Sequence, residues 1–181
     1  MFHPEIHIKD ISSMQFDRYC ISVDYGTQNP AVFLLFGRNA GKWYGVKEYY
    51  YSGRDKQKQK TDSEYADDMA LFVGELAYDR IIVDPSAASF IAELKKRGFR
   101  VKKGKNDVVD GIRFTGSLFA QGELFIGEGM KQTIAELKSY VWDSKSAEKG
   151  EDKPVKENDH CMDAMRYFTY TELKKGGVYV W

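Results

Sequence analysis

Three carboxylate positions in this chain could do chemistry together. Asp24 ends the apolar run "CISV" and precedes Tyr-Gly-Thr. Asp84 ends "RIIV" and precedes Pro-Ser. Asp163 lies in "KENDHCMDAMRYFTY", with His160 three residues before it and Asp159 four. Pairs at three and four residues share one face of a helix. If the two strands are parallel neighbours, both strand-end aspartates emerge at the same sheet edge. Carboxylates brought together repel and hold protons unless a cation compensates. A divalent metal is the simplest remedy, and Mg²⁺ takes oxygen ligands while keeping waters and substrate phosphates in its shell. Two such ions, about 4 Å apart, can orient a hydroxide and stabilise both oxygens of a phosphodiester displacement. In that chemistry Asp24 would bridge both ions, Asp84 would hold one and Asp163 the other. His160 would orient water, transfer a proton or hydrogen-bond a ligand from outside.

The local patterns also admit plainer roles. Asp24 before Gly26 fits a turn. "VDPS" fits an Asx-turn that starts a helix. Asp159 fits a cap, and a lone His160 fits a surface or boundary histidine. Asp163 is harder to dismiss, because its helix neighbours are apolar and a buried carboxylate without a partner costs several kcal/mol.

The elements that must position these residues follow from periodicity. Residues 19–23 and 31–36 read as strands joined by the polar turn "DYGTQNP", and the aromatic-rich 42–52 as a third. Their short connections imply antiparallel pairing. Tyr65, Met69, Phe72, Val73 and Leu76 recur at helical spacing after a cap at Thr61 or Ser63. "RIIVD" is the short apolar run of a strand covered on both faces. A helix over 87–97 is expected next, capped by Ser86 and ended by Gly98. "FRVKKG" is a further short strand. Asn106 starts a helix over 107–121, "GELFIG" is an extended piece, and 130–140 is a helix. The last helix spans 159–174. Strands interleaved with helices in this order predict an α/β fold, a mixed central sheet with helices on both faces.

With 181 residues the chain suits one domain, and Lys plus Arg balance Asp plus Glu at 27 each. Net charge therefore selects no class of partner; local clusters must. Arg54, Lys56, Lys58 and Lys60 form one cluster in "RDKQKQK". Lys102, Lys103 and Lys105 belong to another, "KKRGFRVKKGK". Either fits a solvated face or phosphate positioning on DNA. Cys20 and Cys161 are too few for a disulfide framework and read as inert core thiols in a reducing compartment. No apolar run reaches membrane-span length.

Four blocks carry a family likeness: "SVDYGTQNPAVFLLF", "RIIVDPSAASFIAELKKRGFRV", "KKGKNDVVDGIRFTGSLFAQGELFI" and "ENDHCMDAMRYFTY". In this order, over most of 19–170, the chain resembles the nuclease domain of the large terminase subunit of tailed bacteriophages. The set looks closest to terminases of Bacillus phages. The resemblance implies a ribonuclease H-like fold and an endonuclease that cuts concatemeric double-stranded viral DNA during genome packaging. It implies dependence on Mg²⁺ or Mn²⁺, with two ions. By the family's pattern the metal-binding aspartates correspond to Asp24, Asp84 and Asp163, and His160 falls where relatives carry a polar or acidic residue near the metals. It further implies an N-terminal ATPase domain, a small terminase subunit and a portal or procapsid as partners, in the host cytoplasm. On this reading residues 1–18 are an arm or the remnant of an interdomain linker and 19–174 the nuclease domain. Residues 144–158 are a polar insert near the active site and 175–181 a tail, and the domain by itself is monomeric. No P-loop spacing occurs; "GRNAGKW" ends in Trp43 and reads as a strand turn, so no ATP hydrolysis is expected. A junction resolvase and a non-catalytic DNA- or procapsid-docking module are the alternatives. A sugar-kinase-like nucleotide fold, suggested by "VDYGT", would need a second phosphate loop and a longer chain.

Overall fold

The structure, a computed structural model, describes residues 2–26, 29–139 and 159–174. A seven-stranded mixed sheet has the order β1-β7-β4-β3-β2-β5-β6. Its strands are β1 (Ile8–Lys9), β2 (Arg18–Asp24), β3 (Ala31–Asn39), β4 (Lys42–Tyr51), β5 (Ile81–Val83), β6 (Val101–Lys103) and β7 (Leu124–Gly127). The first three long strands form an antiparallel meander. Its second turn places Ala40 and Gly41 at positive φ, the two-residue hairpin geometry that suits right-handed strand twist. That is the strand turn expected at "GRNAGKW". Beyond the meander, β5 pairs parallel with β2, β6 with β5, and β7 with β4.

Side-chain alternation divides the core in two. Cys20, Val32, Leu34, Phe36 and Ile82 pack on one face; Ile21, Val23, Ala31, Phe33, Ile81 and Val83 pack on the other. Each of the central strands is buried on both sides, which explains why "CISV", "AVFLLF" and "IIV" read as continuous apolar runs. Helices α2 (Asp62–Val73) and α3 (Ala88–Lys96) cover the second face, with Tyr65, Met69, Phe90 and Leu94 fully buried. The first face holds α4 (Val108–Ala120), α5 (Lys131–Ser139) and α6 (His160–Phe168), the last continuing as a π-helical turn over Thr169–Leu173. The mixed α/β fold with helices on both faces is as expected from the sequence.

Two local features differ from expectation. Thr61 does cap α2, in a reciprocal capping box with Glu64, but Ser86 does not cap α3. Its hydroxyl donates to Asp84 instead, at 2.8 Å. The first 18 residues contribute a short helix, α1 (Pro4–His7), and β1, which pairs parallel with β7. These pieces are too short to show periodicity in sequence. The polar segment 144–158 and the tail 175–181 lie outside the described residues.

Candidate active site

Parallel pairing of β2 and β5 puts Val23 beside Val83, so Asp24 and Asp84 leave the sheet together. The Asp84 amide donates to the Val23 carbonyl at 3.1 Å, fixing the two strand ends to each other. Both aspartates share the parity of Cys20 and Ile82, whose side chains face α6. The first turns of α6 therefore bring His160 and Asp163 to the same edge. His160 Nδ1 lies 3.0 Å from Asp24 Oδ2, across 136 residues of sequence.

Electrostatics tie the group together. Burial pushes the Asp24 carboxyl up to about 6; the His160 hydrogen bond works against that rise, and the charges of Asp163 and Asp84 add to it. For His160, burial disfavours the charged ring, but the bond and charge of Asp24, with Asp159 and Glu136, outweigh it and raise its pKa. Tyr167, one turn beyond Asp163 on α6, has its phenol raised by burial and then by the nearby Asp84 charge. Asp24, Asp84 and Asp163 thus form a surplus of hard oxygen donors that a divalent cation would relieve.

Each of the other two aspartates has its own support. Asp84 makes the Asx-turn read from "VDPS", accepting from the Ser86 amide at 2.9 Å and its hydroxyl at 2.8 Å. Asp163 Oδ1 accepts from Arg166 Nη2 at 2.9 Å and Nε at 3.2 Å. Arg166 is only 2% exposed, and its guanidinium also reaches Asn106 Oδ1 at 3.4 Å. Its stem runs past Gly111 of α4, where a β-carbon would stand 2.7 Å from Arg166 Cγ. Among the described residues, no three His, Cys, Asp or Glu side chains form a ready-made metal cage. Asp24 is held by His160 and Asp163 by Arg166. The donor set fits Mg²⁺ or Mn²⁺ by its chemistry: carboxylates alone, on adjoining rigid elements.

The same sheet edge collects the cationic loops. Tyr51, the last residue of β4, pairs with Ala31 at the Asp24 end, so residues 53–60 emerge beside the carboxylates. Arg54, Lys56 and Lys58 are exposed, the last near Glu64; Lys60 is half-buried, paired with Asp68 and stacked 4.4 Å from the Tyr51 ring centroid. Lys103 and Lys105 flank Gly104 at the end of β6 and are exposed. Lys102 lies 3.7 Å from Glu172 on the π-helical turn, which also gathers Arg18 and Arg80. Cys20 and Cys161 are buried free thiols; burial pushes Cys20 up to about 12 and raises Cys161 as well, in keeping with inert core roles. A cavity of about 570 Å³ between the N-terminal segment, α4, α5 and α6 is apolar and includes none of the candidate carboxylates.

Several supporting residues are not evident from sequence. Arg166 has a signal, since it follows Asp163 by three on a helix. Asn106 reads only as a helix start. Glu48, which accepts from the Gln132 and Thr133 amides, and Glu136, which accepts from the Cys161 amide, carry no signal, because what they do depends on which elements meet.

No family model matches the chain. It is 27% identical over 177 residues to the terminase large subunit of Escherichia phage T5, covering 91% of this chain and 39% of that protein. The structure of a large terminase from a thermophilic bacteriophage, solved with ADP, superposes with a TM-score of 0.94 at 48% identity. The match covers 97% of this chain and 44% of that one. The nuclease domain of the bacteriophage SPP1 large terminase, solved with Mn bound, matches with a TM-score of 0.66 at 20% identity, over 90% of this chain and 91% of that domain. The chain thus spans about two-fifths of the length of the T5 protein and of the thermophilic phage protein. The likeness read in the four sequence blocks is borne out: the chain is similar to large terminases throughout its length and has the ribonuclease H-like fold of their nuclease domains.

Proposed function

From this kinship with phage large terminases, we propose that the chain is a divalent-metal-dependent endonuclease that cuts concatemeric double-stranded viral DNA during packaging. The observation that carries the reading is the meeting of Asp24 and Asp84 at adjoining parallel strand ends with His160 and Asp163 of α6. Asp24, Asp84 and Asp163 would hold two Mg²⁺ or Mn²⁺ ions, with Asp24 shared. Bound there, the ions would supply charge neutralisation and an activated water for phosphodiester hydrolysis. The chain's own residues do the positioning. Paired β2 and β5 fix the ends that carry two of the carboxylates, and the Arg166 fork binds Oδ1 of Asp163. His160 holds Asp24 and stands where it can exchange a proton with a water.

Arg54, Lys56, Lys58, Lys60, Lys102, Lys103 and Lys105 would bind the DNA backbone. Apart from Lys102, which turns to Glu172 beside Arg18 and Arg80 at the opposite strand ends, they sit at or near the carboxylate edge, and backbone contacts position a duplex without reading it. Lys58, Lys60 and Lys102, which have acidic partners, would contribute less than Arg54, Lys56, Lys103 and Lys105. Cleavage would thus be nearly independent of sequence. Partners would be an ATPase domain, a small terminase subunit and a portal or procapsid, in the host cytoplasm. The chain has no P-loop of its own, so ATP turnover would not reside in it. Removing residues 145–156 would change DNA access more than metal binding; unchanged cleavage and DNA affinity in the deletion would sink that idea.

The test is cleavage of supercoiled plasmid with Mn²⁺, Mg²⁺ or EDTA by wild type and Asp24→Asn. Metal-dependent nicking and linearisation, abolished by the substitution, is expected. Equal cutting by both proteins, or none by either, refutes the proposal.

A further inference from the structure

Helix α6 carries His160 and Asp163 in its first turns, yet its own cap residue, Asp159, makes no side-chain cap hydrogen bond. The unpaired amides of a first helical turn need an acceptor. One comes from a different helix: Glu136 of α5 accepts from the Cys161 amide through Oε2 at 2.7 Å. Glu136 is 1% exposed, so this contact is made without competing water. Its other oxygen accepts from Gln132 Nε2 at 3.4 Å. The start of α5 is held in the same manner. Glu48 of β4 accepts from the Gln132 and Thr133 amides, both at 2.9 Å, and from the Thr133 hydroxyl at 2.7 Å. Two carboxylates in series thus tie β4 to α5 and α5 to the first turn of α6. The amides they accept from belong to helix N-termini, where negative charge is favourable.

We propose that Glu136 is a positioning residue for the metal centre: it caps α6 from α5 and so sets where His160 and Asp163 stand against Asp24 and Asp84. Glu136 touches neither metal nor DNA. It acts mainly through the Cys161 amide, which lies between the two site residues in the chain, and its charge also bears on His160. The sheet seats α6 through Ala164, Met165 and Phe168, packed against Cys20, Phe36 and Ile82, and the Glu136 contact fixes the first turn within that docking. The inference rests on the nuclease reading, since it concerns how that site is held.

The test uses Glu136→Ala and Glu136→Gln beside wild type in the whole chain. Three readouts are taken: amide hydrogen exchange over 160–168, Mn²⁺ affinity by calorimetry, and kcat and KM for plasmid nicking. Glu136→Ala is expected to speed exchange at the start of α6 and to lower Mn²⁺ affinity and kcat by about 10- to 100-fold, as outer supports of metal ligands do. KM for DNA should hold, because the DNA-binding cations lie on other elements. Glu136→Gln keeps an acceptor for the Cys161 amide and should restore most of the loss. A merely structural role would lower the melting temperature of both variants without changing Mn²⁺ affinity of the folded protein. Should alanine prevent folding, Glu136→Asp withdraws the acceptor by one methylene and reports the same. Wild type that cleaves with Mn²⁺ while the alanine or aspartate variant matches its affinity and kcat overturns the inference alone. Wild type that neither binds Mn²⁺ nor cleaves overturns the nuclease reading and the inference with it.

Discussion

Replacing Asp24 by asparagine should make the metal-free protein more stable while ending cleavage. Asp24 is 9% exposed, and burial together with the charges of Asp163 and Asp84 lifts its carboxyl from 3.8 to about 6. A folded pKa above the unfolded one means that the native state prefers the protonated group. Its contribution to stability is full below the unfolded value and is lost as pH rises through about 6. At pH 7.5 the ionised side chain therefore costs roughly 3 kcal/mol, at ~1.4 kcal/mol per pH unit of displacement. Asparagine keeps the shape and removes the charge, at the expense of the charge-assisted bond to His160, so a net gain of about 1–2 kcal/mol is expected. For a chain of this size that is a rise in melting temperature of roughly 2–8 °C. Circular dichroism melts in EDTA at pH 5 and 7.5 would measure it, with the gap between the proteins shrinking at the lower pH. Saturating Mn²⁺ should reverse the order: wild type gains about 2.7 kcal/mol at a hundredfold excess over Kd, and the variant gains much less. An Asp24→Asn protein no more stable than wild type in EDTA at pH 7.5 would refute the idea that the carboxylates are crowded at a cost.

Asp163→Ala should behave in the opposite way. It leaves Arg166 buried without its ion partner and should cost about 3–5 kcal/mol in urea unfolding; a loss under ~1 kcal/mol would show that Asn106 suffices for the guanidinium. Gly111→Ala should also destabilise, since the added methyl meets the Arg166 stem; cleavage should fall with it, and unchanged melting and activity would show that α4 yields easily. Thr61→Ala removes the capping box that starts α2 and should cost about 1 kcal/mol of stability, read in urea unfolding; no loss would show that the box is dispensable. Joint substitution of Lys56, Lys58, Lys103 and Lys105 by alanine should weaken duplex binding and flatten its salt dependence by about 0.9 in log–log slope for each phosphate no longer neutralised, checked by anisotropy across a salt series.

The strands and most helices were legible because burial on both faces leaves continuous apolar runs, and 3.6-residue periodicity survives in α2 and the other helices. Thr61 was legible as a cap because its partner, Glu64, is local. Asp24 and Asp84 stood out because strand ends are visible in sequence, and parallel pairing then joined them. Ser86 was ambiguous because one hydroxyl had two local uses, a helix cap and an Asx-turn, and the Asp84 carboxylate took it. Asp163 was legible as an oddity among apolar neighbours, and the i,i+3 spacing of Arg166 hints at their pairing but not at the arginine's burial. Glu48 and Glu136 were invisible for a general reason. A carboxylate that caps a distant helix looks, in sequence, like any polar residue on a helix or strand.

On the proposed reading, the spread of the acidic residues along the chain would govern when this protein can act. The first strand-end aspartate, the second and the α6 carboxylate come from positions 24, 84 and 163, joined by a parallel pairing and a helix docking. Contacts between distant parts of a chain form late, after the closure of long loops. On the proposed reading, a half-synthesised copy would carry the lysines of residues 56–60 but lack Asp163 and so the full acidic set. If the chain is the nuclease proposed above, such a copy would hold DNA without cutting it, and completed folding would itself be the safety catch on the activity.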